Sequence, residues 1–256
     1  NQTKLWDDVG TKIKFLFNET SRRHEQFTSP TCPGGVGGSH YSKGKTVCPE
    51  DVLLLAYPLG EYLNVSHEVI RADAEYFVPI TCRENAGMTT PIHTIVWLLL
   101  GETAKAQASF DRSMHAACYG PYNVRNEVDK HADITGGHFD NTHFLTGDGG
   151  FLQAIINGYG GLRILEMGLK MYRPSLPKGV KKFTFRGFLF MDSTFSYCIK
   201  KDHAVIEVKQ NQGVDLCLMN GDGKLEQNLA VGKPVIVGYQ DFKFPGTIRL
   251  CQSDLT

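Results

Sequence analysis

The feature that most constrains the fold is a change of pattern at Gly161. Before it, apolar residues recur at three- and four-residue intervals, the spacing of one helix face. After it come short runs that alternate or collect β-branched and aromatic residues, the signature of strands. The chain of 256 residues, 41% hydrophobic and 21% charged, is long enough to bury a sizeable core as one large domain or two modest ones. The pattern predicts an α+β multidomain chain: helices with long connections over 1–161, then a small antiparallel β-domain over 162–256.

Within the helical part, Leu5, Trp6, Val9, Ile13 and Leu16 mark a buried stripe on a helix over 3–17. Thr28–Lys45 is rich in Gly, Pro and Ser and reads as an irregular loop; its GGVGG lacks the preceding strand and following helix that a phosphate cradle needs. Asp51–Tyr57 is a short apolar run closed by Pro58, compatible with a buried strand or half a helix. Ser66 N-caps a helix over 66–77. Met88–Leu100 and Glu102–Cys118, separated by Gly101, predict an antiparallel helix pair. A further helix spans Gly149–Tyr159, with Asp148 at its start, where a carboxylate suits the dipole.

Eight strands are predicted in the second part: 162–166, 170–172, 181–190, 195–199, 204–210, 214–219, 234–239 and 247–251. Asn220-Gly-Asp-Gly, with Glu226 downstream, lacks the ligand spacing of a calcium loop and reads as a hairpin turn.

Lys plus Arg equals Asp plus Glu at 27 each, so nothing points to nucleic acid or an anionic membrane. The longest apolar run, Ile95–Leu100, is far short of the roughly 20 residues of a spanning helix. Seven cysteines (Cys32, Cys48, Cys82, Cys118, Cys198, Cys217 and Cys251) show no C-x-x-C spacing. With sequons at Asn1, Asn18 and Asn64, they point to the secretory pathway, a secreted or lysosomal protein with disulfides. Cys32 and Cys48 bracket the Gly-rich loop, where a bridge would staple it. An odd count leaves one thiol free, buried or bonded to another chain. His131, His138 and His143 with Asp133 and Asp140 match no common metal signature and read as a solvated loop; no metal and no cofactor are predicted.

Three segments carry a specific resemblance: TVCPEDVLLLAYP (Thr46–Pro58), GMTTPIHTIVWLLLG with DRSM after it (Gly87–Met114), and above all HFLTGDGGFLQAIINGYGGLRI (His143–Ile164). They are similar to the C-terminal third of glycoside hydrolase family 65, whose members include acid trehalases and glucosidases acting on collagen glucosylgalactosyl-hydroxylysine. The resemblance implies the last part of an (α/α)6 toroid followed by a small β-domain. It also implies inverting cleavage of a glucosyl disaccharide unit. In that chemistry one carboxylic acid protonates the leaving oxygen while a carboxylate about 6.5–9.5 Å away deprotonates a water.

The segment Tyr122-Asn-Val-Arg-Asn-Glu corresponds to the one holding an essential glutamate in the related glucosidases, so the resemblance assigns Glu127 as general base. Arg125, Tyr57, Asp51 and Asp148 are the candidate substrate-binding residues. The sequence departs from the family pattern at Cys48-Pro49, where Lys-Gln is usual, and at Arg125, where an aromatic is usual. Since a guanidinium does not stack on sugar as a ring does, either the substrate has changed or catalysis has been abandoned. The family's acid lies upstream, in segments with no counterpart in these 256 residues. Cleavage before Asn1, with a larger N-terminal chain remaining bound, is therefore expected. Three readings remain: an active α-glucoside hydrolase, a silent carbohydrate-binding or structural glycoprotein, and a phosphorylase. The last is disfavoured because an ionised glutamate at the base position repels phosphate.

Overall fold

The computed structural model describes residues 2–26, 51–82, 86–115, 118–130, 142–166 and 168–251. The loop over 28–45, the sequon at Asn1, Cys32, Cys48, His131, His138, Asp133 and Asp140 lie outside the described residues. The architecture is α+β, helices first and antiparallel sheets after.

The helices are α1 (Gln2–Lys12), α2 (Gly60–Leu63), α3 (His67–Ile80), α4 (Ala86–Leu99), α5 (Thr103–His115) and α6 (Leu145–Gln153), the last running on into a π-helical turn, Ala154–Tyr159. Val52–Leu55 is one 3₁₀ turn, which resolves the strand-or-helix ambiguity there. Two short ribbons interrupt them: β1 (Phe17–Asn18) pairs with β2 (Arg23–His24), and β3 (Cys118–Tyr119) with β4 (Val124–Arg125).

Ser66 caps α3 as expected, its hydroxyl accepting from Val69 N–H at 3.3 Å. Gly101, at φ +76°, turns the chain between α4 and α5. These helices pack on α6 around Ile70, Ala74, Ile95, Val96, Trp97, Ala106 and Ala154.

Two helix predictions need correction. The helix over 3–17 ends at Lys12, because Phe17–Asn18 pair as a strand, and its apolar stripe is not buried: Leu5, Val9 and Ile13 are exposed and Trp6 is 70% exposed. Periodicity identifies an apolar face without supplying what covers it. The helix placed at 149–159 begins four residues earlier, so Asp148 lies inside the first turn and caps nothing; the residue at the N-cap is Phe144.

All eight predicted strands form. The first sheet has the order β11-β10-β13-β6-β5 and the second β12-β9-β8-β7. The first contains β5 (Leu162–Leu165), β6 (Gly168–Met171), β10 (Leu216–Met219), β11 (Leu225–Leu229) and β13 (Gly246–Leu250). The second contains β7 (Lys182–Phe190), β8 (Ser193–Lys200), β9 (His203–Asn211) and β12 (Val235–Gly238). Their inner faces share one core, including Leu169, Phe195, Tyr197, Ile199, Ile206, Leu218, Val237 and Ile248. Strand β8 alternates strictly between buried and half-buried positions, as one face on a core demands. The unpredicted ninth strand, β11, is an exposed polar edge paired only with β10. Between them Asn220–Lys224 makes the expected hairpin turn, the Asn220 side-chain oxygen accepting from Asp222 and Lys224 N–H.

Cys217 is disulfide-bonded to Cys251, and Cys82 is also in a disulfide; Cys118 and Cys198 are both free thiols, against the single odd one expected. The 217–251 bond closes 34 residues of separation. Restricting a loop of that size in the unfolded chain contributes about 3–4 kcal/mol. Cys217→Ser with Cys251→Ser is expected to destabilise the protein by that amount, read by thermal melting. A melt unchanged in the double variant contradicts this.

Candidate active site

Glu127 follows β4, in a segment fastened on both sides. Arg125, Asn126, Val128 and Asp129 are buried, while Glu127 itself is half-buried. The Gly87 amide in the first turn of α4 donates to the Glu127 carbonyl at 2.8 Å, and the Phe144 amide donates to the Arg125 carbonyl at 3.1 Å. Asn126 forms a β-bridge with Thr142. On the far side, Arg112 Nε donates to Asp129 at 3.3 Å and the Tyr119 hydroxyl to the Val128 carbonyl at 3.4 Å. The backbone that carries the carboxylate thus has little freedom, and the residue itself is half-buried.

The Arg125 guanidinium is taken up by protein partners. Its Nε donates to Asp148 Oδ1 at 3.1 Å, its Nη1 to the Ser113 carbonyl at 2.9 Å, and its plane lies 4.8 Å from the Phe151 ring centroid. Asp148, entering from the first turn of α6, answers it there. The chain is packed to contact at this point: a Cβ on Gly147 would stand 2.7 Å from Arg125 Cδ, and one on Gly87 would stand 2.2 Å from the Asn126 carbonyl oxygen. Only glycine fits either position without displacing backbone or the guanidinium stem.

The other candidates lie apart from this cluster. Tyr57 is buried at the opposite end of α6, its hydroxyl donating to Gln153 at 2.6 Å and Asn157 at 3.1 Å. Burial raises its pKa, so it remains a proton donor at any ordinary pH. Asp51 is exposed and opens the 3₁₀ turn, its carbonyl accepting from Leu54 N–H. Asn18 and Asn64 are both exposed. Two residues escaped the sequence reading. Gly87 looks like an ordinary helix glycine, and Asn126, 1% exposed with a side-chain oxygen that has no hydrogen-bond partner among the described residues, carries no signal of its own. No group of three or more metal-ligating side chains occurs among the described residues.

Comparison with known proteins gives this arrangement a context. No protein-family model matches the chain. It is 31% identical over 191 residues to a protein-glucosylgalactosylhydroxylysine glucosidase of Dictyostelium discoideum, covering 75% of this chain and 24% of that protein. It is 30% identical to a kojibiose hydrolase of Flavobacterium johnsoniae, covering 75% and 25%, and 26% identical to an acid trehalase of Emericella nidulans, covering 64% and 16%. The chain is a homologue of the glycoside hydrolase family 65 proteins. A solved structure described as a putative kojibiose phosphorylase from human microbiome matches 91% of this chain and 33% of its own, with a TM-score of 0.64 at 19% identity, a likeness of fold. The chain spans about a quarter of the length of the glucosidase and the kojibiose hydrolase and 16% of the trehalase.

Two contacts hold the Glu127 segment in different ways, and their magnitudes differ. The Asp148 side chain is 53% exposed, so its pair with Arg125 is worth no more than about 1 kcal/mol. Helix propensity alone predicts that Gly87→Ala stabilises by about 0.5–1 kcal/mol, yet the backbone clash predicts a loss of about 2–3 kcal/mol. Equilibrium unfolding in urea is expected to show a small loss for Asp148→Ala and the larger one for Gly87→Ala. The reverse order would show that the ion pair, and not the glycine contact, holds the segment.

Proposed function

We propose that this chain is the C-terminal part of an inverting α-glucoside hydrolase in which Glu127 is the general base. One observation carries the reading: a half-buried glutamate between four buried neighbours, on a backbone pinned to α4 and α6, in the segment that the resemblance to family 65 matches to an essential glutamate. A general base must hold a water at one face of a sugar, and a rigid backbone with an accessible carboxylate is what that task needs. The substrate we infer is a glucosyl disaccharide unit of the kind named in the relatives: collagen-type glucosylgalactosyl-hydroxylysine, kojibiose or trehalose.

Residues 1–161 are then the last helices of an (α/α)6 catalytic barrel and 162–256 its C-terminal β-domain. The catalytic acid and the remaining helices come from polypeptide N-terminal to these residues, which would also cover the exposed apolar face of α1. Arg125 and Asp148 act as positioning residues for the Glu127 segment, while Tyr57 and Asp51 sit farther from it. The disulfides, with Asn18 and Asn64 exposed for glycosylation, favour a secreted or lysosomal protein. No described helix is long and apolar enough to cross a membrane. The second reading is a catalytically silent relative retained as a secreted carbohydrate-binding or structural glycoprotein. The commitment of the Arg125 guanidinium to Asp148, Ser113 and Phe151 speaks for it, since no ring stands at that position to stack on a sugar.

Glu127→Gln in the whole protein separates the two. Removing a general base is expected to lower kcat on kojibiose or glucosylgalactosyl-hydroxylysine by about 10²–10⁴-fold, with KM little changed. Glucose release should also be independent of added inorganic phosphate. A wild-type protein that binds these glucosides without cleaving them supports the silent relative.

A further inference from the structure

A polar cavity of about 340 Å³ lies where the helices meet the first sheet, at the opposite end of α6 from Glu127. Its polar walls are Tyr57, Glu61, His67, Arg163, Lys170 and Tyr172. Arg163, in β5, is 8% exposed. Its guanidinium stands 4.5 Å from the Tyr57 ring centroid and 5.5 Å from that of Tyr172. Its Nη1 donates to the Asn157 and Leu162 carbonyls, and Nε and Nη2 have no acceptor among the described residues. Guanidinium is always charged, so this is a buried cation, and the one carboxylate acting on it, Glu61, is hydrogen-bonded to other groups. Lys170 adds a second cation, and Glu61 is the one carboxylate among the lining residues. Glu61 accepts from Lys170 Nζ at 2.6 Å and from the Tyr172 hydroxyl. The count, two cations less one anion, leaves one positive charge.

The α3 helix begins on the same wall, with Ser66 and His67 among the lining residues. Ser66 satisfies only the Val69 amide, so the His67 and Glu68 amides of the first turn lack intrahelical partners. A 14-residue helix presents its positive dipole end there. A buried guanidinium with donors to spare and a helix N-terminus therefore meet in one cavity of net positive charge.

We propose that this cavity binds a small oxyanion, a phosphate, sulfate or carboxylate group held by Arg163, Lys170 and the opening amides of α3. Such a ligand ties α3 to β5 and β6, joining the helical part to the sheets. The inference does not depend on hydrolysis at Glu127. Isothermal titration of the whole protein with sulfate, inorganic phosphate and acetate, at constant ionic strength, tests it and separates the three chemistries. At least one is expected to saturate a single site. Glu61→Gln removes the nearest negative charge and is expected to tighten binding by at least about tenfold. Lys170→Met should weaken it by a similar factor, and Arg163→Gln should abolish it. The Glu61→Gln gain keeps the test meaningful if the Arg163 variant fails to fold, and Glu127→Gln should leave binding unchanged. Absence of a saturable site in the wild type, or binding that Glu61→Gln does not strengthen, overturns the proposal. Binding that responds to Glu127→Gln instead would place the anion near Glu127 and overturn it equally.

Discussion

The contact on which the helical part depends is the approach of α4 to the segment after β4 that carries Glu127. At Gly87 the two backbones come so close that one methyl group would overlap a carbonyl oxygen, and the amide there bonds the carbonyl of Glu127 itself. That bond fixes the Glu127 backbone relative to α4, whose Thr90, His93, Thr94, Ile95 and Val96 are all sealed from water. A hydrogen bond of this kind contributes only about 1 kcal/mol. The steric fit around it is what forbids alternatives, because backbone can yield only by moving a helix.

The rest of the site follows from that fit. Gly147 admits the Arg125 stem in the same way, and the first turn of α6 can then offer Asp148 to the guanidinium. The π-helical turn that continues α6 passes Gly158, where a Cβ would meet Leu98 and Ile95 of α4, and ends at Tyr159, whose carbonyl accepts from Ser175 N–H beyond β6. One element thus touches the Glu127 segment at its start and the sheets at its end. Small residues along it permit the close packing, and the polar cavity around Arg163 sits where that packing gives way.

The sheets were the most legible part of the sequence. Strand β8 advertises its buried face by alternation, whereas β11, Leu-Glu-Gln-Asn-Leu, is an edge whose exposed positions carry no period. In α1 the periodicity was correctly read as an apolar face, but burial depends on a partner and the described residues supply none. The site was legible only through likeness to other proteins. Alone, Glu127 is one acidic residue among 27, and nothing local marks Gly87, since the atoms that demand glycine lie some forty residues away along the chain. Asp148 looked like a cap because it precedes two glycines; its carboxylate is engaged instead by an arginine 23 positions earlier.

The central claim is that this glutamate, held by a glycine contact at the start of α4, delivers water to the face of a glucoside opposite its leaving group. The stereochemistry of the first product reports this directly. Proton NMR during hydrolysis of glucosylgalactosyl-hydroxylysine by the whole protein is predicted to show β-glucose appearing before mutarotation brings in the α-anomer. Initial release of α-glucose, or no release of glucose at all, would contradict the account.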